Sequence, residues 1–202
     1  MDCDVPIAVY KLGGSLLRLP DLASRLRHFM RSAGEQRPIL LCGGGAVADV
    51  VRDWDRLHHL QPEIAHALAM RSLKLNDALL ETLLPECQSV ASREAAESCW
   101  SSGQWPLLDA MDFLETERPL PGDALPRDWN VTSDSIAAWI SIYWPAQRLV
   151  LLKSCDLPTG VSWTAAAHTQ LVDPCFPALA NRLPRIDWVN LRSESAAGHS
   201  GG

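Results

Sequence analysis

The chain has 202 residues, 18 Lys plus Arg against 24 Asp plus Glu, a formal net charge of −6 and 47% hydrophobic residues. That is about one and a third times a typical ~150-residue domain and too apolar for general disorder, so one domain with one large core is expected. The acidic balance excludes nonspecific duplex binding as a default, since that needs a basic surface to neutralise phosphates, and no nucleic-acid partner is expected.

No apolar run reaches the ~18–20 residues of a bilayer span, and the acidic start Met1-Asp2-Cys3-Asp4 is unlike the basic opening of a secretory signal. A cytoplasmic protein without a membrane partner is the expectation. Six cysteines (Cys3, Cys42, Cys87, Cys99, Cys155 and Cys175) are scattered with no CxxC or Cys/His ligand spacing. They read as reduced, mostly buried thiols rather than a zinc site or a disulfide scaffold.

In chain order, Pro6–Tyr10 is a short β-rich run ended by Gly13-Gly14, after which Leu22, Leu26, Phe29 and Met30 recur at helical spacing. Pro38–Cys42 reads as a second buried strand, broken by Gly43-Gly44-Gly45 and followed by a helix over Ala46–Leu57. Glu63–Leu84, bracketed by Pro62 and Pro85, reads as a long helix. On it Ala65, Leu68, Ala69, Ser72, Leu75, Leu79 and Leu83 form the apolar stripe. A second stripe of His66, Met70, Leu73 and Asp77 is either a partly exposed face or a substrate wall.

Short strands at Gln88–Ala91 and Trp105–Leu108 flank a helix near Arg93–Ser101. Glu115–Trp129, with Pro119, Pro121, Gly122 and Pro126, reads as a loop. Val131-Thr132 leads into a helix from Ser133 to Tyr143, with Asn130–Ser135 at a strand-to-helix junction. Arg148–Lys153 is the clearest buried strand. A turn-rich stretch over Asp156–Gly160, a helix near Pro174–Arg182 and a short strand near Asp187–Asn190 complete a single domain over 1–192, with 193–202 a frayed tail. Strand and helix alternate as in a parallel sheet covered by helices.

Three polar clusters sit at strand ends. In Lys11-Leu12-Gly13-Gly14-Ser15, glycines let backbone N–H groups approach a phosphate and Lys11 adds a mobile positive charge. The same pair of glycines also suits a structural turn. Gly43-Gly44-Gly45 is a second such turn; in a parallel sheet both lie at the carboxyl edge, where two anions can be held side by side, as phosphoryl transfer requires. In Asn130-Val131-Thr132-Ser133-Asp134-Ser135, either Ser133 or Asp134 caps the helix, or Asp134 accepts hydrogen bonds from Lys11 and Lys153 and aims both ammonium groups at a phosphate. No carboxylate cluster forms a metal cage, so any Mg2+ is expected to arrive with a nucleotide.

KLGGSL, LLCGGG followed by AVADVVRDWD, WNVTSDSIAAWI and LVLLKSCD, in this order, resemble the amino-acid kinase family, whose members phosphorylate carboxylates, carbamate or phosphate monoesters with ATP. The helix EIAHALAMRSLKLNDALLETLL, the late VDPCFPAL and the short length most resemble the small kinases that convert an aminomethyl-furan-methyl phosphate to its diphosphate for methanopterin-type cofactors. The resemblance implies a three-layer αβα sandwich with a mainly parallel sheet, in which ATP and acceptor meet across the strand tips. Lys11, Gly13, Gly14 and Ser15, with Ser154 and Asp156, would hold the ATP phosphates. Gly43, Gly44, Gly45, Arg52, Asp55, His66, Asn130, Thr132 and Ser133 would hold a phosphorylated acceptor. Lys11, Asp134 and Lys153 would be catalytic.

Departures from the family pattern are also visible. Lys153-Ser154-Cys155-Asp156-Leu157-Pro158 replaces the usual TDVDG-like turn, and the segment before VDPCFP is short. Asn181 or Arg182 stands where a second phosphate-contacting lysine is expected, and little room follows the last strand for a final helix. These departures motivate an alternative, a noncatalytic nucleotide- or ligand-binding or assembly subunit on the same fold. A uridylate-type kinase shares Leu151-Leu152-Lys153, but the chain is short for that nucleotide site. A homodimer or larger homo-oligomer is expected, with Trp139 or Trp144 at the contact.

Overall fold

The computed structural model describes residues 5–34, 36–116 and 124–193. Strands β1 (Ile7–Leu12), β2 (Arg37–Cys42), β3 (Cys87–Val90), β4 (Trp105–Leu108), β5 (Arg148–Lys153) and β6 (Ile186–Asn190) form one sheet in the order β3-β4-β2-β1-β5-β6. Every pairing is parallel. The helices are α1 (Leu22–Ser32), α2 (Gly45–His58), α3 (Pro62–Leu83), α4 (Arg93–Ser101), α5 (Ala110–Thr116), α6 (Ser133–Tyr143), α7 (Trp163–His168) and α8 (Phe176–Ala180). This is the expected three-layer α/β architecture.

The pleat of the central strands explains the layers. Val9, Ile39, Leu41, Leu149 and Leu151 face one core with α6 and α8, while Tyr10, Leu12, Leu40, Val150 and Leu152 face the other with α1. Strands buried on both faces are near-continuous apolar runs, as the sequence shows. Because β1 pairs with β2 on one side and β5 on the other, the chain reverses its winding direction at β1. Ligands of open α/β sheets bind outside the carboxyl ends of the strands at such a point.

Several elements differ from expectation. Asn130–Thr132 is irregular rather than strand, so α6 begins from a loop. The expected loop from Glu115 starts inside α5, which ends at Thr116. Residues 117–123 lie outside the described residues, as does the expected tail apart from Ser193. α5 and α7 are short helices without a full apolar period, and the sequence pattern gave neither. The last helix is confined to Phe176–Ala180.

The buried face of α3 cuts across the two expected stripes, taking Ala65 and Ser72 from the first while His66 of the second is half-buried. Met70, Leu73 and Asp77 of the second stripe are buried, together with Asn76 and Leu80, whereas Leu75, Leu79 and Leu83 of the first are exposed. Burial, then the nearby Asp109 and Glu81 carboxylates, push the Asp77 carboxyl up to about 8, against the opposing pull of Lys74. Trp139 and Trp144 are only 3% and 2% exposed, so neither is offered to a partner. They pack instead against Phe113, edge-on at 6.1 and 5.5 Å between centroids. Among the described cysteines, Cys42, Cys87 and Cys99 are buried free thiols, Cys175 is half-buried and Cys155 is exposed.

The buried assignment of Leu80 has a direct check. Leu80→Ala empties a fully enclosed site and should cost about 2–5 kcal/mol in thermal or denaturant unfolding.

Candidate active site

The site grows from the register of three strands. Leu12 lies beside Cys42 on one side and Leu152 on the other, so the chain leaves β1, β2 and β5 at one level. The Gly43 amide donates to Leu12 O and the Gly13 amide donates to Leu152 O, both at 2.8 Å, extending the ladder into the turns. Gly14 and Gly45 then meet backbone to backbone. A Cβ on Gly14 would lie 2.1 Å from the Gly45 nitrogen, and Gly45 itself adopts φ +50°. Only glycines fit that contact.

Gly45 opens α2, whose N-terminus carries no side-chain cap. Its first N–H groups and the positive end of its dipole therefore face the space beside the glycines. Asn76 of α3 fixes the turn from behind, donating from Nδ2 to Gly43 O at 2.7 Å and to Gly44 O at 2.8 Å. After β1, Gly14–Arg18 forms a 3-10 turn rather than an α-helix.

Asp134 sits in the first turn of α6, 5% exposed. Its Oδ1 is 2.9 Å from Lys11 Nζ and its Oδ2 accepts a hydrogen bond from Lys153 Nζ at 2.8 Å. Lys153 also donates to Leu171 O at 2.7 Å and lies over the Trp188 ring. Burial alone would raise the Asp134 carboxyl, but Lys11 and Lys153 outweigh it and hold the group below its ordinary value. Burial, then repulsion from Lys11, bring Lys153 down to about 8, against the pull of Asp134. Two ammonium groups share one carboxylate, leaving the cluster with an excess positive charge in a dry setting.

The N-terminus of α6 is held by a residue that the sequence reading did not single out. The Asp173 carboxylate accepts from Thr132 N at 3.0 Å, Thr132 Oγ1 at 2.8 Å and Ser135 N at 3.0 Å, and also from Ser135 Oγ. It accepts from Cys175 N and Phe176 N as well. Capping thus comes from a segment remote in sequence, not from Ser133 or Asp134 as the local pattern allowed. A contact separated by about forty residues leaves no local signal.

A cavity of about 160 Å3 lies between the glycine turns and α3, lined by Lys11, Gly14, Gly44, Gly45, Arg52 and His66 among others. Thr132 and Ser133 also line it, whereas Asp55 and Asn130 do not. Asp55 accepts from Trp129 Nε1 at 2.6 Å, and the Trp129 ring, itself part of the lining, carries the Arg52 guanidinium at 4.8 Å from its centroid. The pocket carboxylate is instead Asp49, which pairs with Arg52 at 2.7 Å. Asn130 spends its side chain on Asp128. Burial pushes the His66 imidazole below its ordinary value, opposed by its hydrogen bond with the Asp128 backbone.

On the β5 side, Ser15 Oγ donates to Ser154 Oγ at 2.9 Å, tying the first glycine turn to the end of β5. Asp156 accepts from Asn190 Nδ2 at 3.1 Å, and Asn190 is the register partner of Lys153 in β6. Neither Asn181 nor Arg182 lines the cavity between the glycine turns. A second cavity, lined by His66, Met70, Val131, Ile136 and Trp139 among others, shares the first four of these with the anion-sized one. Among the described residues, no three His, Cys, Asp or Glu side chains form a metal site. No helix among them is long and apolar enough to cross a membrane.

An open parallel sheet with two touching glycine turns and buried lysines at its carboxyl edge is a frame for handling anions. The profile of the amino acid kinase family matches residues 6–156, and the chain belongs to that family. Membership places it among small-molecule phosphotransferases. Solved structures agree on the fold: uridylate kinase from Archaeoglobus fulgidus aligns with TM-score 0.62 at 14% identity, covering 95% of each chain. UMP kinase from Ureaplasma parvum gives 0.60 at 13%, over 92% of this chain and 91% of that one. Aspartate kinase from Synechocystis gives 0.62 at 13%, over 93% of this chain and 38% of that one. No curated protein matches the sequence.

Asp173→Ala would strand the donors that its carboxylate collects at the start of α6. Loss of at least about 2 kcal/mol in unfolding free energy is expected, together with weaker binding of any anion beside Asp134; an unchanged Tm would remove the capping role.

Proposed function

We propose that this chain is an ATP-dependent kinase that transfers the γ-phosphoryl group to a phosphate monoester. The observation carrying this reading is Asp134, buried between Lys11 and Lys153 beside two glycine turns in contact. That contact supports two phosphate sites side by side. The residues present suit a nucleotide's phosphates: a Cβ-free cradle at Gly14, an uncapped helix N-terminus at Gly45 and two buried ammonium groups.

In this reading Gly13, Gly14, Ser15 and Ser154 hold the donor phosphates. Gly44, Gly45 and Arg52 hold the acceptor phosphate. An acceptor phosphate oxygen attacks the γ-phosphorus; the bond from that phosphorus to the β–γ bridging oxygen breaks, and ADP leaves with the electron pair. Lys11 and Lys153 neutralise charge on the transferring group, so catalysis is positioning plus electrostatics. Lys153, paired with Asp134 from β5, takes the part of the second positive charge for which Asn181 or Arg182 was the candidate. Mg2+ enters with the nucleotide.

The acceptor's body extends from the anion-sized cavity into the neighbouring one, between His66, Met70, Val131, Ile136 and Trp139. That wall suits a compact, largely apolar ring, in keeping with the aminomethyl-furan-methyl phosphate of methanopterin-type cofactor synthesis. Asp49, rather than Asp55, is the carboxylate beside Arg52 for the acceptor's ammonium.

Incubation with ATP, Mg2+ and the phosphorylated furan amine should yield ADP and the diphosphate over many turnovers. Lys11→Ala should lower kcat by at least about 100-fold with folding intact, in line with removal of a charge from a phosphoryl transition state. Binding of ATP without turnover on any phosphate monoester would instead favour a noncatalytic subunit.

A pH profile tests Lys153 separately. Its proton leaves at about 8 in the free protein, so kcat/KM for ATP should fall as pH rises through about 8. Lys153→Arg, which keeps its charge, should move that fall to higher pH; an unshifted limb would remove Lys153 from the mechanism.

A further inference from the structure

Arg52 sits on α2 between two carboxylates, Asp49 one turn before it and Asp55 one turn after. Side chains so spaced on a helix are neighbours, and both acids are therefore placed to compete for one guanidinium. Only Asp49 takes it, accepting from Nη1 at 2.7 Å. Asp55 accepts instead from Trp129 Nε1 at 2.6 Å, and the Trp129 ring lies under the guanidinium, 4.8 Å from centroid to Cζ. Among the described residues, nothing accepts from Arg52 Nε or Nη2.

Those two nitrogens are the side-on fork of an arginine, the pair that meets a carboxylate or phosphate through parallel hydrogen bonds. Arg52 and Trp129 both line the cavity beside Gly44 and Gly45, whereas Asp55 does not. A guanidinium that spent both edges on carboxylates would have no fork left for a third anion. We propose that Trp129 is a positioning residue for phosphate recognition: its N–H withholds Asp55 from Arg52 and its ring holds the guanidinium, leaving the Nε–Nη2 edge open to two oxygens of the acceptor phosphate. The proposal rests on the reading of this cavity as the acceptor-phosphate site.

The arm that carries the indole is fixed. Asn130 N donates to Asp128 Oδ1 at 2.8 Å and Val131 N to Asp128 O at 3.2 Å, closing a turn around Trp129. Cys175 N donates to Asn130 O at 3.1 Å, and Thr132 is held by Asp173. The ring thus reaches α2 from a segment anchored at the start of α6, and stacking on Arg52 forfeits little further side-chain freedom.

Trp129→Phe keeps a ring and removes the N–H, which frees Asp55. Titration of the full chain with inorganic phosphate, followed by NMR on the Arg52 guanidinium resonances, reads this site apart from the lysine pair. Trp129→Phe should weaken phosphate there by about 10-fold, the worth of one charge-assisted hydrogen bond. Adding Asp55→Asn to it should restore most of the loss, and Asp55→Asn alone, whose amide oxygen still accepts from the indole, should bind as the wild type does. In turnover, Trp129→Phe should raise KM for the acceptor with kcat and KM for ATP little changed. Wild-type Arg52 resonances that ignore phosphate, an unaffected Trp129→Phe, or a weakened one that Asp55→Asn fails to rescue overturns the proposal; the last is what a merely structural tryptophan gives. Should Trp129→Phe not fold, the wild type decides: Trp129 Nε1–H should stay protected from hydrogen exchange with and without phosphate, and fast exchange in either state overturns the proposal. No turnover on any phosphate monoester, with this binding pattern intact at Arg52, would end the kinase reading and uphold the role of Trp129.

Discussion

A single buried carboxylate organises the carboxyl edge of this sheet. Asp134 is removed from water, which on its own would be costly, and that cost is offset only because Lys11 and Lys153 reach it from two strands on either side of the chain reversal. The arrangement fixes three elements at once: β1, β5 and the first turn of α6. With two positive charges on one negative, the cluster is electrostatically incomplete.

Everything around the cluster serves to hold it still. Asp173 gathers the backbone and hydroxyl donors at the start of α6, and Leu171, two residues earlier, accepts from Lys153. The short segment from Leu171 to Asp173 thus braces both Asp134 and one of its lysines. Asn76 does the same for the second glycine turn from α3. Rigid secondary structure carries the charged groups, and polar residues one layer out restrict them, which is how positioning becomes effective in phosphoryl transfer.

Much of this frame was legible in the sequence because it is written locally. Apolar runs gave β1, β2 and β5, and glycine turns at their ends marked the shared edge. The position of Asp134 just inside α6 made its approach to the two lysines an available reading. What escaped was written at long range. Asp173 caps a helix about forty residues away, and Asn76 reaches glycines from another helix; neither leaves a periodic trace. Asp55 looked like a pocket residue by position, but its carboxylate is drawn to the Trp129 indole, while Asp49 faces the cavity. On α3 the buried face draws on both expected stripes, Ala65 and Ser72 from one and Met70, Leu73 and Asp77 from the other, while Leu75, Leu79 and Leu83 stay exposed. Hydropathy alone cannot orient a helix that buries Asn76 and Asp77 and exposes leucines.

The backbone contact between Gly14 and Gly45 also limits how the site can move. With no side chain between them, the two turns have no compressible layer and no room to slide past each other. The two turns therefore behave as one fixed floor beside the cavity. Any change in the shape of that cavity has to come from its other walls, α3 and the Trp129–Ser133 stretch at the start of α6.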